Sequence, residues 1–246
     1  SKAAIFLVMM RWFLQAELFH YQLLVQCIAV IAIISMLVGN LLALLQNNIK
    51  RMLAYSSIAH MGYLLIIFIV GAVDEYRSFA IEAASYYLIA YTATTIAAFG
   101  LLALLSTTAT TKNPTDQVPS DKSQLTDVNG LFWHQPLLAC LMLVALLSLA
   151  GIPLTAGFIA KFYIFSAAVS GYHWSLLAAL IIGSSIGIYY YLRVIFSMTK
   201  RPEESVDRIG TTASWSVRSI CLGLMASILL LGTIPQPLLE YLRVMF

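Results

Sequence analysis

The chain of 246 residues is 61% apolar and only 10% charged, with a mean hydropathy of +0.87. Its apolar residues come in runs long enough to cross a bilayer, roughly 20 residues of helix over ~30 Å, which excludes an ordinary soluble domain. The net charge of +3 is small and lies between the runs, so it sets orientation and gives no reason to expect a nucleic-acid partner.

Strict polar–apolar alternation is absent, so helices rather than a β-barrel must satisfy the backbone inside lipid. The expected class is all-α, a polytopic helical membrane protein with one transmembrane domain over 1–246. The first run, about 1–16, opens with Lys2 and "AAIFLVMM". It reads as the end of a crossing helix, which predicts further sequence upstream. With apolar residues ahead of it Lys2 lies well inside the membrane; otherwise it is an interfacial lysine.

The second run, 23–45, contains Cys27 and is followed by Lys50 and Arg51. In the third, 52–72, His60 stands ten residues beyond Lys50, roughly 15 Å along a helix and near mid-depth. A histidine there either relays protons or packs as a hydrogen-bonded neutral ring. Ser56, Ser57 and Tyr63 nearby can pass a hydrogen bond. The run 79–106 holds one carboxylate, Glu82, near its start, so it is no obvious partner for a buried cation. A Thr-, Ser-, Asp- and Pro-rich stretch then predicts a polar loop over 107–130.

The next pair of runs, 131–150 and 154–169, flanks "LSLAGIPLTAGFIAKFY" at 147–163. Gly151, Pro153 and Gly157 interrupt the apolar pattern there, which predicts a discontinuous helix around 150–157. Irregular backbone at membrane depth is tolerated only inside protein or beside water, and half-helix ends present fixed partial charges that bind ions. Lys161 follows the break by one turn. Inserting a lysine there costs about 2.5–3.5 kcal/mol on translocon scales. Burial penalises its ammonium form while carbonyl ends stabilise it, a balance suited to taking up and releasing a proton. The alternatives are a lysine snorkelling to the interface or held in a permanent ion pair. Runs 174–198 and 216–234 complete the pattern.

Lys200, Arg201 and Arg208 follow the run 174–198, and Arg218 begins the next. The positive-inside rule places them with Lys50 and Arg51 on one side, which requires 131–169 to cross only once. His20, His134 and His173 fall at run ends, where an interfacial position is expected. Cys27, Cys140 and Cys221 lie in apolar runs without metal-ligand spacing and read as small core residues. A dinucleotide glycine fingerprint, a P-loop and clustered cysteines for an iron–sulfur centre are all absent from the sequence.

The stretch "NNIKRMLAYSSIAHMGYLL" at 47–65, "LSLAGIPLTAGFIAKFY", "GLFWHQP" at 130–136, "GIYYYLRV" at 187–194 and "PQPLL" at 235–239 together resemble the antiporter-like subunits of respiratory complex I and the related sodium/proton antiporters. The resemblance covers the whole chain as the second half of such a subunit, of a kind without a long lateral helix. It implies a fourteen-helix fold of two inverted repeats, each with one broken helix. It also implies that Lys2 is the lysine connecting two half-channels, that Lys161 is the titratable residue of the second broken helix, and that His60 is a polar relay beside it. Redox-driven proton translocation in a bacterial inner membrane is then expected. NADH, FMN, iron–sulfur clusters and quinone would be bound by other subunits and no cofactor by this chain. The expected partners are the neighbouring antiporter-like subunit, small membrane subunits and lipid. A free-standing or multisubunit sodium/proton antiporter and a purely structural bridging subunit stay open.

Overall fold

The structure is a computed structural model that describes residues 2–16, 18–110, 123–201 and 215–245. Among these are ten α-helices and no strand: α1 (Lys2–Gln15), α2 (Gln22–Leu44), α3 (Ile49–Val70), α4 (Arg77–Thr110), α5 (Leu131–His134), α6 (Pro136–Ala150), α7 (Ala156–Ser170), α8 (Trp174–Thr199), α9 (Trp215–Thr233) and α10 (Gln236–Met245). Helices α2, α3, α4 and α8 are each long and apolar enough to cross a membrane.

Several boundaries differ from the sequence expectation for local reasons. Helix α3 starts at Ile49 rather than 52, because the Asn48 side chain caps it by accepting from the Arg51 N–H. Helix α4 runs on to Thr110, into the region expected to be loop. Residues 111–122 lie outside the described residues, and Leu125–Val128 form a 3₁₀ turn. The run starting at 131 divides at Gln135, since Pro136 takes the first position of α6. Arg208 also lies outside the described residues. The short helix α10 was not expected: Pro235 ends the preceding run, and ten residues fall well short of a span. It leaves α9 at a bend of 78°. Cys27 is exposed on α2 and Cys140 is half-buried, so of the three cysteines only Cys221 packs as a core residue.

Helix α3 is the centre of the bundle, with most of its side chains buried. It packs closely on α2, where a Cβ on Gly62 would stand 2.9 Å from the Ala32 carbonyl oxygen. Small residues at such crossings are how membrane helices bring their backbones together. The outward face of α2 exposes Leu23, Val30, Ile31 and Ile34, as befits a surface against lipid or another subunit.

Contacts at the helix ends define two sides. On one, the Trp133 indole N–H donates to the Thr199 carbonyl, the Ser197 hydroxyl to that of Leu125, and Arg193 to that of Gln46. The ends of α2 and α8 thus gather with the starts of α3 and α6, beside Lys50 and Lys200. On the other side the α7–α8 turn meets the end of α3, where a Cβ on Gly171 would lie 3.2 Å from Val70 Cγ2. Helices α6 and α7 have 15 residues each, about 22 Å at 1.5 Å per residue.

Candidate functional site

Residues 151–155 separate α6 from α7. Gly151 ends α6 in the left-handed region at φ 81°, with its N–H bonded back to the Leu147 and Ser148 carbonyls. Only glycine adopts that backbone at low cost, and a Cβ here would also press on Lys161 Cδ at 2.7 Å. Ile152, Pro153 and Leu154 follow, Leu154 again at a positive φ of 74°, a strained conformation for a non-glycine residue. The Thr155 hydroxyl closes the turn by donating to the Ile152 carbonyl at 2.7 Å. Gly157 then passes directly over Ser148: its N–H donates to Ser148 Oγ at 3.0 Å, and a Cβ would fall 1.8 Å from the Ser148 carbonyl oxygen. Gly151 and Pro153 thus lie in the interruption and Gly157 in the first turn of α7; Gly151 ends α6 and Gly157 lets α7 touch Ser148.

One turn into α7, the Lys161 Nζ donates to the Ala150 carbonyl at 2.8 Å and lies 5.6 Å from the centre of the Tyr63 ring. The last carbonyls of α6 lack helical partners and carry its negative dipole end. The ring face adds a weaker attraction for the cation. The ammonium therefore rests on partial charges next to the break, with no carboxylate partner among the described residues.

Lys161 shares a small cavity with His60. The cavity, about 10 Å³ in volume, is lined by His60, Tyr87, Tyr91, Thr94, Ser148 and Lys161, among others. That is at the lower limit for one water molecule. His60 Nδ1 lies 2.5 Å from the Tyr87 hydroxyl, and the Tyr91 ring is 4.9 Å from the imidazole. Three residues before His60 on the same helical face, Ser57 Oγ accepts a hydrogen bond from Lys2 Nζ. The Tyr91 hydroxyl is within interaction range of that same serine. The three residues expected to be functional, Lys2, His60 and Lys161, thus fall along one line of polar groups.

Other members were not anticipated from sequence. Asn40 on α2 is buried; its amide donates to the Tyr63 hydroxyl at 3.0 Å and to the Met36 carbonyl at 2.7 Å, and its carbonyl accepts from the Tyr190 hydroxyl at 3.0 Å. Through Tyr63 this network supports the ring beneath Lys161. A carboxamide deep in the run "ISMLVGNLL" and the tyrosines four apart at 87 and 91 were the available signals. Replacing Asn40 by leucine is expected to leave two buried hydroxyls without their partner, at about 1–3 kcal/mol each. A lowered unfolding midpoint of the purified protein checks this; an unchanged midpoint contradicts it.

The family model described as NADH:quinone oxidoreductase/Mrp antiporter, TM, matches residues 1–187. The chain belongs to this antiporter family. Among family members, NADH-quinone oxidoreductase subunit N of Chromohalobacter salexigens is 43% identical to it, over 100% of this chain and 49% of that protein. Subunit N of Ectopseudomonas mendocina is also 43% identical, over 98% of this chain and 46% of that protein. The chain spans about half the length of the curated relatives it matches. A chain of respiratory complex I from Thermus thermophilus with bound aureothin superposes with a TM-score of 0.70 at 32% identity, covering 87% of this chain and 45% of that one. The archaeal membrane-bound sulfane sulfur reductase gives 0.75 at 23% identity, over 90% of this chain and 41% of that one. At that identity the likeness concerns the antiporter-family fold alone.

Proposed function

We propose that this chain is the second half of a proton-translocating subunit of a bacterial NADH:quinone oxidoreductase. In this reading it sits in the membrane arm against a neighbouring antiporter-like subunit and small membrane subunits. The single observation that carries it is the cavity shared by His60 and Lys161 at the interruption between α6 and α7. The names of the relatives at 43% identity agree with it. Because α6 starts beside Lys200 and α7 ends beside Val70, and each is too short alone, the two are taken as one broken span. The positive-inside rule then puts Lys50, Arg51, Lys200 and Arg201 in the cytoplasm.

A proton is held on Lys161 while its ammonium faces the Ala150 carbonyl and the Tyr63 ring. Lys2, through Ser57 and the His60 cluster, supplies the proton from the preceding half of the path. Quinone reduction in other subunits changes hydration and charge along the arm and so the occupancy of the two lysines in turn. His60 accepts or donates across the cavity, which is just large enough for one water molecule, with Tyr87 orienting its ring. Redox chemistry and its cofactors belong to other subunits.

The test compares two preparations of the full-length subunit: in its intact complex, and alone in proteoliposomes. Proton uptake in inverted vesicles that requires NADH, together with absent sodium–proton exchange by the isolated subunit, is the expected result. Exchange driven by a sodium gradient without NADH would instead establish the antiporter reading.

A further inference from the structure

The face of α4 that lines the Lys161 cavity does not stop there. Ala90 and Thr94 belong to the cavity wall. One turn back toward the start of α4 stands Tyr86, and one turn further Glu82, all at the four-residue spacing that keeps side chains on one face. From Ala90 to Glu82 is about 12 Å of helix, leading away from the side marked by Lys50 and toward the α3–α4 turn.

Glu82 is the one carboxylate among the buried residues described. Both of its oxygens accept from Arg243 Nε, at 3.1 and 3.0 Å. The partner comes from α10, on the far side of the 78° bend, so a helix too short to span reaches back to cover this carboxylate. The pair straddles a boundary: the Glu82 side chain is 10% exposed and that of Arg243 64%. Neighbouring groups tie it to the broken span. The Tyr163 ring on α7, two residues past Lys161, stacks on Tyr86 and Phe79 at 5.9 and 5.7 Å, and its hydroxyl is within interaction range of Glu82. The Tyr86 hydroxyl donates to the Leu231 carbonyl of α9 at 2.6 Å.

Resting on the reading of Lys161 as a proton carrier, we infer that Glu82 is the next proton acceptor outward and that Arg243 is the group that expels the proton from it. An exposed arginine on the short helix α10 can swing its side chain from the carboxylate without disturbing the bundle. In that state the Lys161 N–H bond breaks, the proton passes along water beside Tyr86, and an O–H bond forms on Glu82, leaving the lysine as a neutral amine. When Arg243 returns, its fixed positive charge favours the carboxylate; the O–H bond breaks and the proton passes to outer-side water. Arginine keeps its own protons throughout.

The experiment uses the full-length subunit within the intact complex. The variants are Glu82→Gln, the double variant Glu82→Leu with Arg243→Leu, and Lys161→Ala. Complex abundance, NADH oxidation rate and protons moved per NADH are measured in inverted vesicles. Removing both partners of an ion pair together avoids leaving a lone buried charge, so assembly is expected to persist. The expected result is a fall in protons per NADH in both Glu82 variants, by the same share as in Lys161→Ala. Normal stoichiometry in the Glu82 variants beside a lowered one in Lys161→Ala overturns the acceptor role alone. Normal stoichiometry in all three removes the underlying reading as well. Lost assembly in both Glu82 variants shows a structural clamp and overturns the proposal.

Discussion

Replacing Lys161 with alanine in the full-length subunit is expected to abolish this subunit's share of proton pumping while leaving the complex assembled. The ammonium has no carboxylate partner among the described residues; it donates its hydrogen bond to the Ala150 carbonyl. Truncation therefore strands no opposite charge among the described residues, and the enlarged cavity beside His60 keeps Tyr91, Thr94 and Ser148 in its lining. Arginine at the same position separates two explanations. It supplies a positive charge but stays protonated in proteins. A group that must release its proton fails as arginine, whereas one that only anchors a charge is rescued. Pumping per NADH that falls in both Lys161→Ala and Lys161→Arg establishes proton transfer. Rescue by arginine, or normal pumping in Lys161→Ala, makes the residue an electrostatic anchor.

The largest structural effect is expected from Gly157→Ala. The added methyl would stand 1.8 Å from the carbonyl oxygen of Ser148 and 2.7 Å from its carbonyl carbon. These are backbone atoms, so no rotamer change relieves the clash and α7 must move off α6. The Gly157 N–H then loses Ser148 Oγ, and Lys161, one turn on, moves with the helix. Overpacking costs about 1–3 kcal/mol where neighbours can shift and more where they cannot. A strongly lowered unfolding midpoint and reduced assembly are expected. Gly100→Ala is the matching control, since nothing lies within 4 Å of its added Cβ and alanine is the better helix former. Equal midpoints for the two variants would show that the break is soft.

The sequence alone reached the all-α membrane class, and it singled out the apolar runs and the stretch around Gly151, Pro153 and Gly157. Each depends on neighbours along the chain: hydropathy sums over a run, and Gly151, Pro153 and Gly157 act on their own backbone. Lys161 and His60 also stood out there, because a titratable group in an apolar run is conspicuous without any structure. The misses share a cause. Helix α10 is amphipathic and short, so a search for spans passes over it. Asn40 was visible as an anomaly but its partners were not.

Tertiary packing decided the rest. Helices α4, α6 and α7 are apolar nearly all round, so no periodic polar face marks which way each one turns. That His60 and Lys161 share a cavity, that Tyr63 bridges Lys161 to Asn40, and that Glu82 meets Arg243 across 161 positions of sequence follow from helix rotation and crossing. Those are fixed by close packing at small residues such as Gly62 and Gly157, a property of pairs of surfaces that no single run of the chain contains.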